Sequence, residues 1–278
     1  MSLTAMPVKL IRGLIPAKWT KLTVSWTIAY IYTIYVALGA IPPFRGASAF
    51  SVTAASAILV LLYIFHSFTN LRLKTALKFL GIAAVISYTW EFIGVTTSVP
   101  FGPYNYTSAL GPQIGPVPIA IPLIWSALGY FCMEASDHYI IASALMVSMD
   151  LSFDPVFSTS LHLWNWTGQT QYFGVPLSNF FGWFIASLTF FAVFYFASRR
   201  RLASSKPAIA FYYLFGLDNA IGGLVSGSVA LAASSFATFT VATAILALLN
   251  RNRAAKAKLM PTEPIASLTR QPLTNNKT

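Results

Sequence analysis

PAIAFYYLFGLDNAIGGLVSGSVALAASSFATFTVATAILALL, residues 207–249, is the stretch that decides the fold, and Asp218 is its single charge. As one helix it would reach about 64 Å at ~1.5 Å per residue, twice the ~30 Å hydrocarbon core of a bilayer. It must therefore fold back, most simply at Ser226-Gly227-Ser228, and cross as 208–227 and 230–249. Working outward from that pair, apolar runs of crossing length recur at 22–41, 50–69, 77–97, 117–134, 138–157 and 175–197. The pattern predicts an all-α, polytopic membrane bundle of about eight transmembrane helices.

Composition agrees. The chain of 278 residues is 56% hydrophobic and 9% charged, where soluble domains carry about 25% charged residues. Such a chain cannot cover its surface with polar groups, so its solvent must be lipid. No long polar linker interrupts residues 22–249, so 1–249 reads as a single transmembrane bundle. Residues 250–278 are polar, contain Pro261, Pro264 and Pro272, and read as a loose cytoplasmic tail. Gly223 and Gly227 form GxxxG, a spacing that permits close helix packing. No internal repeat is visible. Cys132 is the lone cysteine, which excludes an intrachain disulfide and a cysteine-cluster metal site.

The net charge of +11 would suggest nucleic acid in a soluble protein. Here the basic residues sit in short clusters between apolar runs. Lys9, Arg12, Lys18 and Lys21 precede the first run; Arg72, Lys74 and Lys78 lie between the second and third. Arg199, Arg200, Arg201 and Lys206 lie between the sixth and seventh; Arg251, Arg253, Lys256 and Lys258 follow the eighth. The alternate loops hold Arg45 alone, so eight crossings put every cluster on one side and both termini in the cytoplasm. The short fourth loop departs from this pattern, carrying Glu134 and Asp137. Ala37, Gly39 and Ala40 imitate a signal-cleavage site, but the long basic leader and span-length apolar run predict a retained helix in the cell membrane.

Seven acidic residues are present, and Glu91, Asp150, Asp154 and Asp218 fall within crossings. An ionised group in lipid costs several kcal/mol, so such residues face the bundle interior and are candidates for function. Helical rise places Asp154 about 5 Å, Glu91 about 9 Å and Asp150 about 11 Å from the outer ends of their spans, with Asp218 near mid-membrane. The four could surround one outward-opening cavity. Asp150 and Asp154, four apart, share a helix face. Two close carboxyls in low dielectric do not both ionise cheaply, so one keeps its proton while the other is charged, an arrangement suited to acid–base work. Pro155 frees the carbonyl of Leu151 and disfavours helical geometry at Asp154, so the helix should kink or end there. Asp218-Asn219 also reads as polar glue between helices.

The outward loops, 98–118 and 158–176, are uncharged and dense in aromatics: Tyr104, Tyr106, Trp164, Trp166, Tyr172 and Phe173. An interfacial aromatic belt explains part of this; a lid over the end of an apolar ligand explains why the cytoplasmic loops lack it. His66 and His138 read as interfacial residues, and His162 as a loop residue that could donate a proton. Asn105-Tyr106-Thr107 and Asn165-Trp166-Thr167 match the glycosylation pattern, which is frequent by chance.

Three groups of residues carry a resemblance. Trp90-Glu91-Phe92-Ile93-Gly94, with Pro100-Phe101-Gly102-Pro103-Tyr104-Asn105-Tyr106 and Leu110-Gly111, form the first. Met149-Asp150-Leu151-Ser152-Phe153-Asp154-Pro155 is the second. Trp164-Asn165-Trp166, Tyr172-Phe173-Gly174-Val175-Pro176 and Asn179-Phe180-Phe181-Gly182-Trp183 are the third. In order, over about Trp90 to Trp183, they resemble the signatures of the membrane-integral carotenoid-synthesis family, which includes carotenoid 1,2-hydratases. The resemblance implies addition of water to a terminal isoprenoid double bond of a linear carotenoid. It implies a lipid-soluble carotenoid and membrane lipid as partners, with other enzymes of the same pathway, and no nucleic acid.

Such chemistry needs an acid to protonate the alkene, a carboxylate to orient or deprotonate water, and aromatic faces to stabilise the cation. It needs no redox cofactor or metal. The resemblance therefore assigns proton donation to one of Asp150 and Asp154, and water orientation to the other or to Glu91. End-group packing falls to Trp90, Trp164, Trp166 and Trp183, and further substrate contacts to Tyr104, Tyr106, Asn165, Asn179 and Asp218. A carotenoid cyclase or isomerase would use the same protonation and differ in what captures the cation. A proton-coupled transporter would need acids along a path through the membrane, and none comparable lies deep on the cytoplasmic side. A retinal-binding pump would need a lysine inside a late span. A polyprenyl transferase would need basic residues beside the outward acids.

Overall fold

The long apolar run folds back where the sequence marks it. In the computed structural model, which describes residues 20–39, 52–198 and 205–259, one helix ends at Val225 and the next begins at Val229. Gly227 makes the turn at φ +83°, a left-handed value that glycine reaches without steric cost. The two glycines of the GxxxG spacing do different jobs. Gly227 turns the chain, whereas Gly223 lets the helices approach: a Cβ there would lie 2.9 Å from the backbone nitrogen of Ala232.

Eight α-helices lie among the described residues. They are α1 Lys21–Gly39, α2 Val52–Asn70, α3 Leu73–Thr97, α4 Ala120–Ala135, α5 Tyr139–Asp154, α6 Leu177–Ser198, α7 Lys206–Val225 and α8 Val229–Leu259. Five helical segments, α3 and those of α5 to α8, are long and apolar enough to cross a membrane; Ala54–Asn70 and Ala120–Ala135 are shorter apolar helices. The protein is an all-α membrane bundle. The helix at its end runs through Leu259, so the expected loose tail from residue 250 is helical for its first part; residues 260–278 lie outside the described residues, as do Lys9, Arg12, Lys18, Arg45 and Arg199 to Arg201.

Helices α3, α4, α5 and α6 form the central group: α3 packs on α4 and α6, and α5 packs on the same two. Helix α7 lies against α1, α4 and α8, and α2 lies against α1 and α4. Along α3 the buried side is Ala76, Phe79, Ala83, Ser87, Glu91 and Gly94, at helical spacing, while Leu77, Val85 and Phe92 face outward. Aromatic edges fill the centre, with Phe79 and Phe194 at 5.1 Å and 89°.

Lys78 Nζ donates to Ala197 O at 3.2 Å, and Ser205 N donates to Glu134 O at 3.2 Å. The starts of α3 and α7 and the ends of α4 and α6 therefore share one face, the basic face. Near it, two residues sit deeper than their sequence positions suggest. His66 is buried, not interfacial, with Nδ1 2.8 Å from Tyr130 Oη. Glu134 is buried within the end of α4.

The opposite, far face carries short strands where the sequence reads as loop. Strand β1 Tyr104–Tyr106 and the hairpin of β2 Gln113–Ile114 with β3 Val117–Pro118 follow α3; β4 Trp164–Trp166 follows α5. Strands β1 and β4 pair antiparallel, with Asn105 opposite Asn165. The α-helix ends at Asp154, as Pro155 predicts, yet Asp154 itself keeps helical geometry at φ −56° and ψ −46°. The chain then widens into a π-helical turn over Pro155–Ser160, which absorbs the missing donor.

Phe101 holds the far face together. Its ring is wedged between α3 and α6, where Gly94 and Gly182 each leave space that a Cβ would take from it. Overpacking of this kind costs ~1–3 kcal/mol. Gly94→Val and Gly182→Val should each lower the melting temperature in detergent, and the pair together should not cost the sum, because one ring yields to both.

Candidate active site

Glu91, Asp150 and Asp154 are all buried at the far-face end of the central helices. Helical spacing explains why they point inward. Glu91 continues the buried side of α3, and Asp150 and Asp154 lie one turn apart on the buried side of α5. Each acid is then met by groups from later in the chain.

Glu91 accepts three hydrogen bonds. Tyr104 Oη donates to Oε2 at 2.5 Å, Tyr106 Oη to Oε2 at 2.7 Å, and Trp125 Nε1 to Oε1 at 2.8 Å. Burial, with Glu91 alongside, pushes both phenols well above their ordinary range, which keeps them protonated as donors. Asp154 is held in a matching way. Trp164 Nε1 donates to Oδ1 at 2.9 Å, Trp166 Nε1 to Oδ1 at 3.3 Å, and Asn179 Nδ2 to Oδ2 at 2.7 Å. Asn179 Nδ2 also donates to Asp150 Oδ2 at 2.7 Å, while the buried Asp150 Oδ1 has no partner.

The β1–β4 ribbon accounts for the parallel. Alternate residues of a strand point to one face, so Tyr104 and Tyr106 reach Glu91 from β1, and Trp164 and Trp166 reach Asp154 from β4. Asn105 and Asn165 fall on the other face and are exposed. Each acid takes its remaining bond from the helix after its strand, Trp125 of α4 or Asn179 of α6. No repeat is visible in the residues, yet two similar units, helix–acid–ribbon strand–helix, meet across the ribbon.

A cavity of about 50 Å³ lies between them, lined by Glu91, Asp154, Asn179, Trp164, Trp166 and Trp183, with further apolar and aromatic residues. Below it Trp183 stacks on Trp125, with ring centroids 3.9 Å apart at 21°. Phe153 meets Trp183 edge-on at 5.3 Å.

Of the residues expected to share a site, Glu91, Tyr104, Tyr106, Asp154, Trp164, Trp166, Asn179 and Trp183 line this cavity, and four do not. Asp150 stands behind Asn179 and does not line the cavity. Asn165 faces away, because a strand alternates and its two tryptophans take the inner face. Trp90 packs half-buried against the core and lies off the cavity wall. Asp218 is absent from the cavity wall; α7 places it nearer Tyr32 of α1. Trp125 belongs to none of the quoted motifs, although a tryptophan buried in an apolar helix must find an acceptor for its indole N–H.

Glu91, Gly94, Phe101, Tyr104 and Tyr106 of the first motif, the aspartates of the second, and Trp164, Trp166, Asn179, Gly182 and Trp183 of the third thus converge on one place. The residue pattern of carotenoid biosynthesis proteins matches residues 46–249. The chain belongs to that family. The bisanhydrobacterioruberin hydratase of Haloarcula japonica is similar, at 28% identity over 113 residues. That match covers 36% of this chain and 38% of the relative, well under two thirds of its length. No solved structure matches the chain.

Removing one partner of a buried charged hydrogen bond costs ~1–3 kcal/mol. Trp125→Phe strips Glu91 Oε1 of its donor and should lower the unfolding temperature in detergent. Glu91→Gln in the same background should recover part of that loss; no recovery would mean that the indole acts through packing alone.

Proposed function

We propose that the protein adds water to a terminal isoprenoid double bond of a linear carotenoid in the cell membrane. One observation carries this reading: two carboxyl groups, each fixed by three donors, face a single aromatic-walled cavity within a lipid-embedded bundle. Membership of a carotenoid biosynthesis family supports the substrate class, and the hydratase name of the similar archaeal protein favours this reaction.

The Asp150–Asp154 pair holds one proton, since two anions that close without a cation would be costly. Asp154, the member on the cavity wall, delivers it. The alkene π pair forms the new C–H bond at the less substituted carbon and leaves a tertiary cation. The faces of Trp183, Trp164 and Phe153 stabilise that cation without bonding to it. Water attacks it, the C–O bond forms, and Glu91 accepts the released proton. Return of that proton to the aspartate pair closes the cycle, with one water added and no change of oxidation state overall. Asp150 acts through Asn179 as a positioning residue, and is the charged partner of the pair while Asp154 carries the proton.

Cells making a linear carotene and expressing the protein should accumulate a tertiary alcohol heavier by one water. A cyclised product of unchanged mass would instead favour a cyclase. General acid–base groups contribute ~10²- to 10⁴-fold, so Asp154→Asn and Glu91→Gln should each cut conversion at least ~100-fold while the protein remains in the membrane. Asp218→Asn should convert at close to the wild-type rate. Full conversion by Asp154→Asn would end the proposal.

A further inference from the structure

The cavity is too small for its proposed ligand. A space of about 50 Å³ holds a few waters or a small branched end group, not an extended polyene. The remainder of the chain must leave the site, and most directions are closed. The stacked Trp125 and Trp183 block the way toward the basic face. The β1–β4 ribbon and the wedged Phe101 cover the far face. Phe153 and Phe157, packed on each other at 5.1 Å, close the side toward α5.

One side differs. The lining includes Ile121 and Ile124 of α4 and, from α2, Ser56 alone. Helices α2 and α3 are joined by two residues, Leu71 and Arg72, and yet barely touch; each packs on α4 instead. A pair tied at the basic face and separated by a third helix must splay toward the far face. Among the described residues, those that edge the gap, Ser56, Ile121, Ile124 and Leu110, are all uncharged. A gap of that composition suits hydrocarbon better than a water-soluble ligand.

We propose that the isoprenoid chain enters and lies in a lateral cleft between α2 and α3, floored by Ile121 and Ile124 and edged by Ser56, with only its reacting end inside the cavity. The identity of the ligand rests on the hydratase reading; the position of the cleft rests on the packing of α2, α3 and α4. Ser56, Ile121 and Ile124 are then specificity-determining residues that touch the chain and take no part in proton transfer.

The test is photocapture in native membranes of cells that make a linear carotene. The photoreactive residue p-benzoylphenylalanine replaces Ser56 in one variant and the outward-facing Ile31 of α1 in another. After irradiation, the purified protein is examined for covalent polyene by mass and visible absorption. A chain held beside residue 56 should give an adduct ~10-fold or more above that at residue 31, where capture depends on chance encounter in the lipid. Adding Ile124→Trp, which fills the cleft floor, should return capture at 56 to the control level. Equal capture at both positions, with wild-type protein hydrating the carotene, would overturn the cleft and leave the hydratase reading standing. Strong, Ile124→Trp-sensitive capture by a protein that adds no water would support the cleft and sink the hydratase reading alone.

Discussion

Three carboxyl groups buried in one end of a membrane bundle set the terms for everything around them. No lysine, arginine or histidine among the described residues hydrogen-bonds to them; their partners are phenols, indoles and one amide. Hydrogen bonds from neutral donors make up part of the lost hydration without adding a counter-charge. Two acids are satisfied in this way and the third, Asp150, is left with an unpartnered oxygen. Groups of one chemical kind, in one small volume, thus sit in unequal surroundings.

The ribbon is the device that makes the arrangement possible. Helices deliver Glu91 and Asp154 and one donor to each, Trp125 or Asn179; the remaining donors come from the strands. Two short strands lying across the helix ends present two phenol hydroxyls and two indole N–H groups to the acids. Phe101 sets the ribbon's distance by occupying the space that Gly94 and Gly182 leave open. Fold and site are thus joined by a few aromatic rings that are both packing and chemistry.

Much of this was legible in the residues. Apolar run length gave the helices to within about four positions, except the end of α8, which continues ten residues past its apolar run. Charge inside those runs gave the acids, because lipid makes a buried carboxyl conspicuous. Contacts between distant loops were less accessible: nothing local in Tyr104-Asn105-Tyr106 or Trp164-Asn165-Trp166 announces that they pair, and so Asn165 was grouped with residues that it turns away from. Asp218 looked like a fourth member because depth was known and azimuth was not. His66 and Glu134 read as peripheral because burial by other helices leaves no local mark. Trp125 carries no local mark either, since a tryptophan in an apolar helix is ordinary apart from its acceptor, here Glu91.

The pairing of Asn105 with Asn165 at the centre of the ribbon has a consequence for how such a chain can change over time. In a strand, neighbouring side chains lie on opposite faces, so a shift by one residue exchanges the faces completely. Inserting or deleting a single residue between Glu91 and Tyr104, or between Asp154 and Trp164, would turn asparagine toward the acid and its two rings outward. Substitution at the rim of these loops is a small step, whereas a change of length there is a switch. Loops are ordinarily the places where proteins tolerate gain and loss of residues; in this one the two far-face loops act as measured spacers.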